Sequence, residues 1–329
     1  MSTIIKSFKG GSISSTSLIK KNNFFFVRKK VSLSKNREFG FIRWLSQMKK
    51  MQYYNSKIKN IFPKIYDAGT LNKEAFFDIK YFDNAQNCFE YLNSKKNVNV
   101  KNFLNLFLKE SKKFYKNKIP SIKNNLELYV QEELLNRHSL LKKKLKKKLF
   151  KYPFIFYNGE KLHHLEKYLI FLNNIFIKNS NLISESFVHG NLTLENMLIY
   201  KKKIIFIDPY EENYVDTIYN DYSQILQSCN SNYELLNKSK LKIKKNIIFV
   251  NYKISKNIKE FNLLFKKYLI KKFSFNEIML IRAFEISQYI RMIPFKLAID
   301  PQKAILFYGL ACKLIKDLFY DFKNKKKFL

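Results

Sequence analysis

The sequence predicts an α+β chain with a small β-rich lobe over residues 1–83 and a larger, mostly helical lobe over 84–329. Strand-length apolar runs end at Phe82, and from about Gln86 the pattern is helical. One short hairpin, at 197–207, is set into that helical part. With 329 residues, 46% of them hydrophobic, the chain can bury a large core in one two-lobed unit.

The elements follow in chain order. Phe8 to Ser17 holds the only Gly/Ser-rich loop, between two short apolar segments. Backbone N–H groups at Gly10, Gly11 and Ser12 suit a phosphate cover, and the same residues also suit an ordinary hairpin turn. Phe24 to Lys30 reads as a buried strand. Val27 and Lys29, two residues apart, share one of its faces, which makes Lys29 the candidate phosphate-binding lysine; the adjacent Lys30 leaves the register open. Phe39, Ile42, Trp44, Leu45 and Met48 predict a helix over 36–52. Glu38, in its first turn, either pairs with Lys29 or answers the helix dipole. Two further strands are expected over 61–69 and 74–82, with 78–83 as the hinge between lobes. Downstream, Asp221 is placed to cap the start of a helix.

The segment Phe187-Val188-His189-Gly190-Asn191-Leu192-Thr193-Leu194-Glu195-Asn196 is followed, past a hairpin, by Ile207-Asp208-Pro209. Phosphoryl transfer needs a metal on the phosphates and a group that orients the acceptor hydroxyl and takes its proton. A rigid turn with a base and, five positions on, an Asn presents base and metal ligand together, and a later Asp completes the metal site. Asn196 and Asp208 fit the two metal positions, and Asn191 stands where the base belongs. An amide accepts a hydrogen bond from a hydroxyl but takes up no proton at neutral pH.

In these motifs the chain resembles the aminoglycoside phosphotransferase and choline kinase superfamily. Within it, the chain is similar to phosphotransferases associated with bacterial capsule and lipopolysaccharide biosynthesis. The form of the loop at 190–198, the segment from Asp221 to Ser228 and the run Arg291 to Phe295 carry that likeness. The departure is Asn191, where the family has Asp. The resemblance implies a protein-kinase-like two-lobed fold, with catalytic loop 187–197 and metal segment 204–209. It implies transfer of the γ-phosphoryl group of ATP or GTP, with Mg²⁺, to a hydroxyl of a small molecule, a sugar or sugar-like one. Lys29 would hold phosphates, Glu38 would orient Lys29, His189 would brace the loop, and Asp221 would brace it from behind. The four residues Lys29, Glu38, Asn196 and Asp208 are expected to converge on a cleft. The rival is a pseudokinase, a nucleotide-binding scaffold or regulator of the same fold without transfer.

The net charge of +36, from 62 Lys+Arg against 26 Asp+Glu, ordinarily suggests nucleic acid or an anionic membrane. Only six arginines are present, however, and Lys, Asn, Ile, Phe and Tyr, all abundant here, share AT-rich codons. Forked nucleic-acid contacts use Arg, so no specific nucleic-acid partner is expected. Leu141, Leu145 and Leu149 form a stripe on a lysine-rich helix, which either lies on an anionic membrane or, as preferred here, docks on the helical lobe. No signal-type apolar core precedes Gly10, and no apolar run reaches membrane-span length. Cys88, Cys229 and Cys312 are far apart, as expected of free thiols in a reducing cytoplasm. His138, His163 and His164 read as packing or surface residues, and Lys323 to Lys327 as a frayed tail. Nothing signals an oligomer. If the lysine excess reflects codon usage, polyanion binding is sequence-indifferent and fades steeply between low and physiological salt. Filter binding with unrelated single and double strands tests this; tight, sequence-selective binding at physiological salt contradicts it.

Overall fold

The structure is a computed structural model that describes residues 2–8, 14–35, 38–94, 96–116, 118–120, 123–210 and 213–328. It is an α+β fold with a β-sheet N-terminal region and a helical C-terminal region, and it divides into two compact units. One unit comprises residues 1–91, 106–116 and 189–213; the other comprises 92–105, 117–188 and 214–329.

The first unit is built on an antiparallel five-stranded sheet. Its strands are β1 (Thr3–Phe8), β2 (Ser14–Lys21), β3 (Phe24–Ser32), β4 (Ile65–Leu71) and β5 (Glu74–Lys80), in the order β1-β2-β3-β5-β4. Tight turns close the hairpins. Asn22 and Asn23 join β2 to β3, and Asn72 and Lys73 join β4 to β5, all four at positive φ. That double left-handed turn matches the twist of paired strands, and Asn tolerates it well. After β3 a helical turn over Glu38–Ile42 leads into α1 (Arg43–Lys57). Helix α1 buries Trp44, Met51 and Tyr54; Trp44 lies 5.0 Å, ring to ring, from Phe77 of β5. A second small sheet orders β12 (Lys203–Phe206), β11 (Met197–Tyr200) and β6 (Gln86–Asn87). Aromatic rings tie these parts together: Tyr54, Phe62, Phe114 and Phe206 form a chain with centroids 5.0–6.0 Å apart.

The second unit is organised around α10 (Phe275–Ile299), which is buried continuously from Ile278 to Ile290. A helix buried on all sides needs other elements to cover it. Helices α7 (Ile218–Cys229) and α11 (Pro301–Lys323) pack on it. Each long helix carries its own start signal. Ser274 and Glu277 form a reciprocal capping box on α10, Ser255 caps α9 (Lys256–Lys272), and Asp300 with Pro301 starts α11. Gly309 lets α11 lie against a four-stranded sheet; a Cβ there would come within 2.6 Å of Ile248 and 2.9 Å of Tyr157.

Several expectations are corrected. The region beyond Gln86 is not purely helical, because β8 (Ile155–Tyr157), β9 (Glu160–Leu162), β13 (Leu241–Lys244) and β14 (Ile247–Val250) form that sheet. Its signal was the Asn158-Gly159 turn between β8 and β9, with φ of 48° and 85°. Phe24 and Phe25 are exposed, since β3 begins just past its hairpin turn; its buried part is Arg28, Lys29 and Val31. Asp221 is not a cap: α7 starts earlier, with Thr217 at the N-cap, and Asp221 is fully buried in the first turn. Asp78 lies inside β5 rather than in a connecting segment. The tail is docked rather than frayed. Lys326 donates its N–H to Asp321, and Lys327 Nζ bonds the Ile270 and Phe273 carbonyls at the C-terminal end of α9, at 3.1 and 2.9 Å. Leu141, Leu145 and Leu149 are all buried. Among the described residues no helix is long and apolar enough to cross a membrane.

A buried ion pair in the large sheet joins β3 to β5. Arg28 grips Asp78 with two hydrogen bonds, of 2.6 and 2.7 Å, with both residues buried and the guanidinium over the Phe76 ring. Removing one partner strands the other charge. Arg28→Met is therefore expected to cost about 3–5 kcal/mol in denaturant unfolding, and the double variant with Asp78→Leu to recover most of it.

Candidate functional site

The candidate residues lie in the first unit, and the loop after Val188 is built around an imidazole. His189 is fully buried, with Phe62, Phe114 and Phe206 rings 5.7–6.2 Å away. Its Nε2 lies 2.8 Å from the Ile207 carbonyl, which can only accept, so Nε2 carries the proton. Nδ1 then accepts from the Asn191 N–H at 3.2 Å. The His189 carbonyl accepts the Tyr210 N–H at 3.0 Å. One residue thus joins the turn at 189–191 to the segment at 207–210. Burial, with the charge of Lys50 added, pushes its pKa down to about 3.

Gly190 is required here. Its φ is +80°, and a Cβ would sit 2.5 Å from Asn213 Nδ2 and closer still to the Tyr210 carbonyl oxygen. The next residues use their backbones to hold Asn196. The Asn191 carbonyl accepts from Asn196 Nδ2 at 2.7 Å, which leaves the Asn196 Oδ1 as the acceptor facing away. The Asn196 carbonyl in turn accepts the Ile207 N–H at 2.9 Å, so Asn196 and Asp208 are neighbours across the β11–β12 hairpin. Lys201 and Lys202 turn that hairpin with φ of 45° and 59°. Asp208 has a φ of 58°, a left-handed conformation that costs a side-chain-bearing residue about 1–3 kcal/mol and concentrates at functional positions.

Lys29 reaches this segment from β3. It is buried, and its ammonium pairs with the Asp208 carboxylate and bonds Gln47 Oε1 at 2.9 Å. Gln47 Nε2 donates to the Pro209 carbonyl at 2.8 Å, and Lys50 Nζ to the Tyr210 carbonyl at 2.6 Å. The Arg43 guanidinium stacks 4.6 Å from the Tyr210 ring. Residues 43, 47 and 50 share a face of α1, and that face clamps the segment after Asp208. Sequence reasoning missed all three. The available signal was the polar i, i+4, i+7 spacing of Arg43, Gln47 and Lys50, which borders the buried Trp44, Met51 and Tyr54.

Lys29, Asn191, His189, Asn196 and Asp208 are thus brought together. Gly10, Gly11 and Ser12 lie outside the described residues, and Glu38 is described only by its backbone, in the turn before α1. Among the described side chains, the helix partner of Lys29 is Gln47. Asn196 Oδ1 and the Asp208 carboxylate offer two hard oxygen donors, which suit Mg²⁺ rather than a softer ion.

The folded chain holds His189 neutral, while an unfolded chain protonates it below its ordinary value of 6.5. Its contribution is complete above pH 6.5 and is lost as the pH falls toward about 3. The expected slope is about 1.4 kcal/mol per pH unit in that window. His189→Gln can donate and accept at the same two places; its unfolding free energy is expected to fall less steeply across the window. Equal slopes would contradict the neutral imidazole.

No protein-family model and no curated protein matches this sequence. Among solved structures, the chain is similar to the aminoglycoside phosphotransferase APH(4)-Ia, with a TM-score of 0.59 at 8% identity, over 96% of this chain and 94% of that one. At that identity the likeness is one of fold: this chain has the fold of an aminoglycoside phosphotransferase.

Proposed function

We propose that the chain transfers the terminal phosphoryl group of ATP or GTP to a hydroxyl of a small molecule. The observation that carries this reading is the contact of Lys29 with Asp208, residues 179 apart in sequence, beside Asn196 and the turn at Asn191. Lys29 binds phosphate oxygens once they enter. Asn196 Oδ1 and Asp208 would hold Mg²⁺, which would offset charge on the phosphates. His189 keeps the loop in place and exchanges no proton, since both its ring nitrogens are engaged. Asn191 accepts a hydrogen bond from the acceptor hydroxyl and aims its oxygen at phosphorus. The hydroxyl oxygen bonds to phosphorus as the bond from phosphorus to the bridging oxygen breaks; that electron pair stays with the nucleoside diphosphate, and the hydroxyl proton leaves to phosphate or water. Lack of a positioned base lowers the rate by about 10²–10⁴-fold, yet such transfer leans chiefly on positioning and charge.

On this reading residues 1–83 serve the nucleotide, with Gly10, Gly11 and Ser12 over its phosphates and Glu38 near Lys29, while 84–329 carry the catalytic loop 187–197 and the metal segment 204–209. A sugar or sugar-like acceptor of surface-polysaccharide metabolism rests on the resemblance in the loop at 190–198. A cytoplasmic site of action and weak attraction to anionic membranes rest on composition. The second reading is a nucleotide-binding scaffold without transfer. It is favoured by the amide at Asn191, where a carboxylate would serve catalysis.

A transfer assay with sugar and polyol acceptors separates the two. Asn191→Asp is expected to raise transfer at least about tenfold, and Asp208→Ala to abolish it. Transfer by the natural protein that Asp does not improve contradicts the reading of Asn191 as a crippled base. Nucleotide binding with no transfer by either protein selects the scaffold.

A further inference from the structure

The second unit closes a polar cavity against its docked tail. Asn230 at the end of α7, Lys266 of α9, Arg282 and Glu285 of α10, Asp317 of α11 and Phe328 of the tail line it. Its volume is about 90 Å³, several times the room that one water needs. Apolar cavities stay empty, but a polar one of this size holds water or a ligand.

Charges of both signs line this cavity, and their described partners sit in its walls. Arg282 pairs with Asp321 at 2.7 Å and donates to the Lys327 carbonyl at 2.9 Å. Glu285 accepts from Asn230 at 3.0 Å and from Ser231. Asp317 pairs with Lys313 at 3.2 Å. The Lys266 ammonium stands 5.0 Å from the centre of the Phe328 ring. Burial draws the pKa of Lys266 down, while the charge of Glu285 holds it up. Burial pushes that of Glu285 up, while Ser231 and Asn230 hold it down. Each group keeps its charge at a cost, which a counter-charge placed in the cavity would relieve.

We propose that this cavity binds a small zwitterion, a free α-amino acid of the size of glycine, alanine or serine, with its carboxylate on Lys266 and Arg282 and its ammonium on Glu285 and Asp317. A simple anion would meet the two carboxylates, and a simple cation the two basic groups, so either gains on one wall and loses on the other. A zwitterion gains on both. The volume sets the limit on size. Phe328 serves as the lid. Lys327 Nζ holds the tail on the end of α9 through the Ile270 and Phe273 carbonyls, and Arg282 holds the Lys327 carbonyl. The ring is thereby set against the cavity, where it keeps water from the ligand and strengthens both ion pairs.

Calorimetry and thermal shift on the full chain test this with glycine, alanine and serine, beside acetate and ethanolamine as probes of a single charge. At least one of the amino acids is expected to give saturable heat and to raise the melting temperature, and each single-charge probe to bind at least about tenfold more weakly. Lys266→Met removes an anchor for the carboxylate. It is expected to weaken the amino acid at least about tenfold and to leave ethanolamine unchanged, a split that a merely structural lysine would not give. Phe328→Ala is expected to weaken binding through faster dissociation. If none of the three amino acids binds saturably, the proposal is overturned and the cavity holds water only. Equal binding by a single-charge probe, or amino-acid binding undiminished in both variants, overturns it as well.

Discussion

The candidate site depends on a buried imidazole that must stay neutral. His189 donates to the Ile207 carbonyl, accepts from the Asn191 N–H and offers its own carbonyl to Tyr210. Those three bonds set where Asn191 and Asp208 stand relative to one another. A protonated ring would bring a second N–H to face the Asn191 N–H, donor against donor, among aromatic rings that offer no acceptor. The aromatic surroundings therefore do more than fill volume; they exclude the water that would let the ring charge. Gly190 is bound to the same design, because the turn brings the Tyr210 carbonyl where a side chain would be.

Around that node the charges are arranged unlike a site built for general-base chemistry. Lys29 and Asp208 answer each other directly, and the groups beside them are amides. Amides keep the hydrogen bonds that hold shape and forgo proton transfer and metal attraction. Among the described side chains, the proposed phosphate site then relies on the carboxylate of Asp208. Positioning and charge stabilisation supply most of phosphoryl transfer, so both a slow transferase and a binding protein are chemically coherent outcomes of one architecture.

What was legible in the sequence was local. The hairpin at 197–206, the pairing of Asn196 with Asp208 and the left-handed turn at Gly190 all lie within about twenty residues, and their signals are turn residues and alternation. The partners of Gln47 and Lys50 are 162 and 160 residues away, and the polar spacing on α1 marks a shared face without saying which segment it meets. The strands β8, β9, β13 and β14 are three or four residues long, and lysines occupy several of their exposed positions. Strands so short leave almost no pattern, and only the Asn158-Gly159 turn marked them. Asp221 looked like a cap because its surroundings in sequence are polar; Asn220, Ser223 and Gln224 are buried with it, with Asn220 bonded to Gln288 of α10 at 2.6 Å. Buried polar networks of this kind read as surface until the partner is known.

A fold can persist at 8% identity because burial pattern and a few backbone turns specify it, while the chemistry rests on single side chains. In the proposed reading those are Lys29, Asn196 and Asp208. The most direct measurement is a crystal structure with a non-hydrolysable ATP analogue and Mg²⁺. The account predicts β- and γ-phosphate oxygens on Lys29 Nζ and the metal on Asn196 Oδ1 and Asp208. Phosphates bound away from Lys29, with its ion pair to Asp208 undisturbed, would contradict it.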